Sequence, residues 1–529
     1  LQLDGWHEQV GNLGDQNEKQ DAAKKQTDYK DFLQQGSEGA AGLIHRLSKP
    51  MVTWQPPEEG PKGRLLSPEA AAEHEADKWK AIWKADVPEE QNIAKPWMLA
   101  PTPDELQELQ GLTVQSFVAA ARSFKRRTGI GADAVHPRAF ASLSEEGTKA
   151  VVHMLQLIEQ SGVWPQRLSH VYYFLIPKLG GGLRPIGLLP SLVRIWERMR
   201  RPIVSAWMQR QARNYDWAAV GKTAEDAAWQ QLVRAEGVDC IQDEPNATAV
   251  TTVLLDMVKC FEKVRLIHVW RWGKYWGVPV GLLKLLLQVF SFQKTIIVDG
   301  SHSKPVHTVN AIIPGSAFSC AILHIVLLWP CDKLLQLYPS IRLAKYVDDL
   351  TITVKGPRDE AADLAVRATK HLVLALENGL GMEVSKTVGG KAGKSVVLTS
   401  HVGMKARMFQ AMTRLGLRFE GRERYLGVDC YGKGKRKGTS ARTKRMRLMQ
   451  IRAGRLRVLK KDGAKVRKVA LAGVKPSVLY GCKTMGLADG HIRSLRRVVS
   501  SCLPGRHLGR STTLRLALHK ADVQQECDA

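Results

Sequence analysis

Three aspartates carry the strongest chemical signal in the chain. Asp256 closes an otherwise apolar run, residues 248–256 (TAVTTVLLD), and Asp348-Asp349 sits between two apolar runs, 341–347 and 350–354. Adjacent carboxylates repel each other and gain little structurally beyond the ordinary preference of Asp for turns. Taken alone, the pair reads as a turn. A third carboxylate at a strand end, about 90 residues earlier in a basic chain, changes that reading. Hard oxygen ligands on rigid strand ends suit Mg²⁺, with water and phosphate completing its octahedron. Two such ions about 3.5–4 Å apart serve the attacking and leaving oxygens of an in-line phosphoryl displacement. With a nucleic-acid partner, that chemistry is nucleotidyl transfer or cleavage.

The patterning supplies a frame for these groups. Strands are expected at 171–176, at 184–188 across a Gly180–Gly182 turn, and at 248–256. Hairpins are expected at 294–299 with 304–309 around Asp299-Gly300, and at 341–347 with 350–354, with Asp348-Asp349 at the turn. Helical spacing covers 68–95, 112–125, 147–160, 190–212, 262–276, 280–290 and 359–378. The class is α+β with antiparallel hairpins, not a βαβ repeat. Residues 305–331 contain no Asp, Glu, Lys or Arg, but Pro314-Gly315 interrupts them. The remaining apolar stretch is short of the ~20 residues a bilayer span needs, so a buried helix is expected and no membrane partner.

The chain has 529 residues, 44% hydrophobic and 24% charged, enough for several packed domains. Its 78 Lys and Arg against 51 Asp and Glu leave a formal charge of +27, which points to a polyanionic partner such as nucleic acid. The charge is uneven. Residues 1–110 hold 12 basic and 20 acidic residues, whereas 431–529 hold 25 basic and 5 acidic. Eight cysteines include no CxxC pair, which excludes zinc ribbons and knuckles and fits a reduced, intracellular protein. Gly221-Lys222-Thr223 is not a P-loop, since position 216 is Asp and a helix precedes it.

Tyr346-Val347-Asp348-Asp349 resembles the YxDD signature of reverse transcriptases, and Leu255-Asp256-Met257-Val258-Lys259-Cys260-Phe261 resembles their first aspartate motif. Other blocks follow in the family's order. Thr128–Asp133 with His136-Pro137, Ile176-Pro177-Lys178, Arg184-Pro185-Ile186 and Gly221–Ala227 resemble the blocks of the fingers and their junction with the palm. Pro314–Ser319 occupies the template-loop position, and Gly379–Thr387 follows YVDD. Tyr425-Leu426-Gly427-Val428 matches the primer grip, and Leu479-Tyr480-Gly481 is a match in the tail. The ordered set, over about 110–485, resembles reverse transcriptases of non-LTR (LINE-type) retrotransposons.

The resemblance implies a right-hand polymerase. Residues 1–110 would be an extension of unknown role, partly disordered; 111–250 the fingers and their junction; 251–430 the palm; 431–529 a basic helical thumb. The implied reaction extends a primer 3′-hydroxyl on an RNA template with dNTPs and two Mg²⁺ ions, Mn²⁺ being the alternative. Asp256 and Asp348 are implied as main metal ligands, Asp349 as support, and the Met257 carbonyl as a contact of the second ion. Phe261 is implied as the steric gate against a ribose 2′-hydroxyl, and Lys178 and Arg184 as a clamp on the incoming triphosphate. Lys386 is implied as the general acid for pyrophosphate, Gly315 and Ser316 as template contacts, and Tyr425, Leu426 and Gly427 as the primer grip. The implied partners are an RNA template and a DNA primer or nicked target DNA, in the nucleus after cytoplasmic synthesis. The family usually has Gln where this chain has Pro314, and Pro where it has Ala317. Two other readings share the motifs: a group II intron or retron-like reverse transcriptase, and a decayed copy that binds RNA without catalysis. With no recognisable endonuclease or RNase H segment and a start at Leu1, the chain is expected to be the polymerase core of a larger polyprotein, or a truncated copy.

Overall fold

The computed structural model describes residues 23–34, 41–50, 67–83, 95–109, 111–178, 183–236, 248–432, 440–505 and 509–523. Residues 1–22 of the extension expected to be partly disordered, residues 84–94 of the helix expected at 68–95, the Gly180–Gly182 turn and residues 433–439 of the basic C-terminal region lie outside them.

In chain order the strands are β1 (His170–Pro177), β2 (Leu183–Leu188), β3 (Thr248–Leu255), β4 (Gln293–Val298), β5 (Ser301–His302), β6 (Arg342–Tyr346), β7 (Asp349–Pro357), β8 (Val396–Thr399), β9 (Arg418–Phe419), β10 (Arg422–Tyr425) and β11 (Val428–Tyr431). The helices used below are α1 (Gly42–Ser48), α2 (Pro68–Trp83), α3 (Ser191–Arg210), α4 (Ala224–Glu236), α5 (Ser319–Leu337), α6 (Arg358–Leu374) and α7 (Ser440–Lys461).

The central sheet has the order β6-β7-β3-β8-β9. β3 sits in its middle because its aliphatic and β-branched side chains tolerate burial on both faces; only Thr248 is exposed. On one face Val253, Leu255, Ile352 and Val354 join the main hydrophobic core with α5 and α6. On the other, Leu254, Val396 and Leu398 pack with Ala228 and Leu232 of α4 and with Tyr425 and Val428 of the β10–β11 hairpin. The first sheet has the order β2-β1-β4-β5. Its Asp299-Gly300 turn has positive φ at both residues, as a type I′ hairpin requires.

Four details differ from the sequence reading. β1 pairs in parallel with β4, so the molecule is not built from hairpins alone. The partner of β4 is only Ser301–His302, and Val306 meets Lys294 through an isolated bridge. The helix expected at 262–276 begins at Leu266, after a short 3₁₀ turn at Phe261–Lys263. Gly42–Ser48, within the extension expected to be partly disordered, form α1, in which Leu43 is buried and Ile44 lies with Leu33 in one core with Leu456, Val474 and Leu495. Arg452 of α7 bonds the Gly473 carbonyl and the Ser48 hydroxyl across that contact. The acidic α2 packs on the first sheet, where Glu73 accepts the Lys304 amide at 2.7 Å.

Helix α5 is, among the described residues, the one helix long and apolar enough to cross a membrane. Its burial explains the composition: residues 321–328 are all buried against the central sheet's core. Helix α7 is opposite in character. It carries no acidic residue in its first turn and buries only six residues, so most of its basic side chains face solvent.

Candidate active site

The register of the central sheet brings the aspartates together. Leu255 of β3 stands opposite Leu350 of β7, so Asp256, one residue beyond β3, emerges beside Asp349. Tyr346 pairs with Asp349, which makes Val347 and Asp348 the two central turn residues and Asp349 the first residue of β7. The sequence reading had placed both aspartates in the turn. Val347 adopts φ 56°, a conformation a β-branched residue reaches only at a cost on the order of 1–3 kcal/mol.

Asp256 is fixed through its backbone. Its N–H donates to the Ser395 hydroxyl at 3.1 Å, and its carbonyl accepts the Ser385 amide at 2.7 Å. Met257, next along the chain, forms an antiparallel bridge with Val384. Burial raises the Asp256 carboxyl above its usual range, and Lys394, 3.6 Å away, counteracts part of that rise. Asp349 is pushed up to about 7 by burial and then by the negative charges of Asp348 and Asp256. A carboxylate cluster whose members raise one another is an energetic liability until a cation joins it.

A cleft of about 450 Å³ opens beside Asp256 and Asp349, with Lys394, Arg424, Tyr425 and Leu426 among its walls. Among the described residues, no three His, Cys, Asp or Glu side chains form a ready cage for an ion. The aspartates instead present hard oxygens to an open cleft, a donor set that fits Mg²⁺, which keeps several water or phosphate ligands.

The other predicted residues distribute as follows. Lys178 and Arg184 are exposed at the two sides of the β1–β2 hairpin, where Ile176 pairs with Arg184. The charge of Lys178 is felt at Asp256 and at Glu262; Arg184 shows no such coupling. Phe261 lies partly buried at the edge of the core, and its carbonyl accepts the Ile312 amide at 2.9 Å, tying it to the segment that leads into Pro314–Ser316.

Gly315 has φ 134°, and a Cβ there would stand 2.3 Å from the Gly187 carbonyl oxygen, so this loop needs glycine where it crosses β2. Pro314 fits because its carbonyl, which proline retains, accepts the Gly187 amide at 2.7 Å. Tyr425 is buried, and Leu426 and Gly427, both at positive φ, form the β10–β11 turn.

Lys386 does not join the aspartates' ion pairs: its ammonium is held by Glu377 at 2.5 Å. The lysine that reaches a motif aspartate is Lys394. The sequence signal for it is slight, a Gly-rich run at 389–393. Gly393 explains the run: a Cβ there would sit 2.3 Å from the Lys386 carbonyl carbon, so only glycine lets the chain fold back and deliver Lys394 and Ser395 to Asp256.

Sequence reasoning also missed Glu197 of α3. This buried carboxyl accepts the Ser316 hydroxyl and the Ala317 amide, the latter at 3.1 Å, and so holds the template-loop segment. Burial pushes Glu197 up to about 7 despite those bonds and the charges of Arg194 and Arg198. Arg445 of α7 was missed as well. It donates to the Gly427 carbonyl at 2.7 Å and to the Tyr480 carbonyl at 3.1 Å.

Residues 176–412 match the family described as reverse transcriptase (RNA-dependent DNA polymerase). Over that segment the chain is similar to a reverse transcriptase domain. The segment contains both aspartate motifs, residues 314–319 and Lys394, and the mixed helix-and-strand fold is of the right-hand polymerase class. Divalent-metal use is general in reverse transcriptases. No curated protein sequence matches the chain.

Solved structures similar to it include apo telomerase from Candida tropicalis truncated from its C-terminal domain, at 12% identity and TM-score 0.34, covering 51% of this chain and 55% of that one. Telomerase from Candida albicans in complex with the TWJ fragment of telomeric RNA is similar at 11% identity and TM-score 0.37, covering 68% and 67%. Full apo telomerase from Candida tropicalis is similar at 10% identity and TM-score 0.38, covering 68% and 63%. The chain thus spans between about half and two thirds of those proteins' length.

Proposed function

We propose that this chain is the RNA-directed DNA polymerase of a non-LTR retrotransposon. It extends a DNA primer on an RNA template with dNTPs, and it works in the nucleus. The observation that carries the polymerase reading is the Leu255–Leu350 register, which delivers Asp256 to Asp348-Asp349 inside a reverse transcriptase domain. The non-LTR reading rests on the ordered blocks, and two of them meet in space: the Tyr480 hydroxyl donates to the Leu426 carbonyl at 2.6 Å.

In this reading Asp256, Asp348 and Asp349 hold two Mg²⁺ ions, with the Met257 carbonyl as a further contact. Ions held by these residues would supply Lewis-acid activation of the primer 3′-hydroxyl and charge neutralisation for the departing pyrophosphate. Ser395 and Ser385 fix the Asp256 backbone so that its carboxylate points one way throughout. Phe261 excludes the 2′-hydroxyl, and Lys178 meets the triphosphate from the β1–β2 hairpin; Arg184 is its partner in that role. Glu197 holds Ser316 for the template, and the β10–β11 turn supports the primer end. The exposed cations of α7 grip the duplex through salt-sensitive phosphate contacts.

Primer extension on poly(rA)/oligo(dT) with Mg²⁺ tests the polymerase reading, with Asp348→Ala as control. Incorporation of dTMP by wild type alone is expected; hybrid binding with no incorporation would overturn it. The lineage is tested on nicked duplex DNA with a free RNA template. Extension from the nick is expected, and strict dependence on a pre-annealed RNA primer site would count against it.

A further inference from the structure

The catalytic turn stands on a buried charge network that neither motif includes. Lys345 immediately precedes Tyr346 and is 2% exposed, yet it is a lysine. Its ammonium lies 3.1 Å from Asp216 Oδ1, and Asp216 Oδ2 lies 3.0 Å from His324 Nδ1 on α5. Asp216 and His324 are as deeply buried as Lys345. The backbone repeats the link. The Lys345 N–H donates to the Tyr215 carbonyl and its carbonyl accepts the Trp217 amide, both at 2.8 Å, so residues 215–217 run beside β6. On its other side Lys345 pairs with Leu350.

The 213–217 segment is itself tied down. Lys222 donates to the carbonyls of Arg213, Asn214 and Asp216. The Tyr215 hydroxyl and the Arg213 guanidinium both reach Asp332 of α5, at 2.6 and 3.1 Å.

A buried ion pair is a poor stabiliser, because desolvation offsets most of the attraction and an apolar pair of similar size does as well or better. What it supplies is direction. Apolar side chains would hold β6 against residues 215–217 at several heights along the strand, whereas charges meeting two partners at fixed distances allow one. The turn two residues later holds Val347 in the left-handed region, a state that persists only when its surroundings over-determine it. We propose that the Asp216–Lys345 pair, braced by His324, is the positioning device that fixes the catalytic turn against Asp256. The proposal rests on the polymerase reading of that turn.

The test separates stability from placement, using Asp216→Asn, Lys345→Met and the Asp216→Leu/Lys345→Met double variant. Each is followed by thermal unfolding, by primer extension, and by amide hydrogen exchange over residues 343–351. Each single variant leaves one buried group without its partner, and Tm should fall by several degrees. The double variant should regain the wild-type Tm. Its kcat should stay down by at least about tenfold with the KM for dNTP nearly unchanged, a loss confined to the reacting geometry. Exchange over 343–351 should be at least about tenfold faster, with β3 and β8 unaltered. Recovery of kcat along with Tm, or wild-type exchange over 343–351, would overturn the proposal. If the double variant does not fold, His324→Phe, which removes the brace on Asp216 along with a 3.4 Å contact to the Gln211 carbonyl, decides by the same exchange measurement: faster exchange at unchanged Tm supports the device, and no change refutes it. Should wild type itself fail to extend a primer, the polymerase reading falls, while the exchange result still decides whether the network holds the turn.

Discussion

Two tight turns adjoin residues that line the same cleft, Asp349 after one and Leu426 within the other, and they are held in opposite ways. The Val347–Asp348 turn grows out of the central sheet and is braced from beneath, by β7 on one side of Lys345, by residues 215–217 on the other, and by the buried charges of Asp216 and of His324 on α5. The Leu426–Gly427 turn projects from a two-stranded hairpin and is held from outside by residues of the C-terminal helical region, Tyr480 on the Leu426 carbonyl and Arg445 on the Gly427 carbonyl. Both carry a bulky residue at positive φ, Val347 and Leu426, so both need support. The difference in support implies a division of labour. A shift of α7 would carry the Leu426–Gly427 turn with it and leave the aspartates in place.

Variants on the two sides should therefore fail differently. The largest effect belongs to the rigid side: Asp348→Ala should reduce primer extension by at least about 10³-fold, the scale expected when a group stabilising developing charge is removed. Its Tm should not fall, since a like charge leaves a crowded cluster. Arg445→Ala tests the other side. It should weaken primer–template affinity by roughly tenfold, about 1.4 kcal/mol, while kcat at saturating primer is retained. An equal loss in kcat would mean that the two turns are one mechanical unit.

Acid titration sharpens the contrast through Asp216. Burial alone would raise this carboxyl, but His324 and the Lys345 ammonium outweigh it and hold it at about 2, against 3.8 when unfolded. A depressed carboxyl stabilises the fold above its unfolded value. That contribution, on the order of 2 kcal/mol, should disappear as the pH falls from about 4 to 2. Urea midpoints at pH 5 and 2.5 should therefore drop more for wild type than for Asp216→Asn. The smallest effect is expected for Lys386→Ala, less than about twofold in kcat, because its ammonium pairs with Glu377 near the surface. Lys394→Ala should change primer extension more than Lys386→Ala does; the reverse order would restore Lys386 to the role its motif implies.

Much of this was legible in the sequence because it depends on local pattern. The apolar run ending in Asp256 can hardly be anything but a buried strand, and the 319–337 helix announces its burial by having almost no polar face. Asp299-Gly300 names its own turn type. What escaped was carried by contacts distant in sequence. Glu197 looks like one more charge in an Arg-rich helix until Ser316, 119 residues later, donates to it. Residues 41–50 look like loop material until the C-terminal helices cover Ile44. Lys386 and Lys394 are both lysines near a motif, and only the fold-back at Gly393 decides which one meets Asp256.

The sequence by itself determined the chemistry on offer: three aspartates at strand ends, a basic partner surface, and the order of the blocks, all of which follow from residue type and short-range spacing. Tertiary structure alone decided which atoms meet. Strand register is a long-range quantity, set by how whole faces bury, and a slip of one residue would send Asp349 to the opposite face. The pairing of Leu255 with Leu350, and the burial of Asp216 beside Lys345, exist only once those faces have closed.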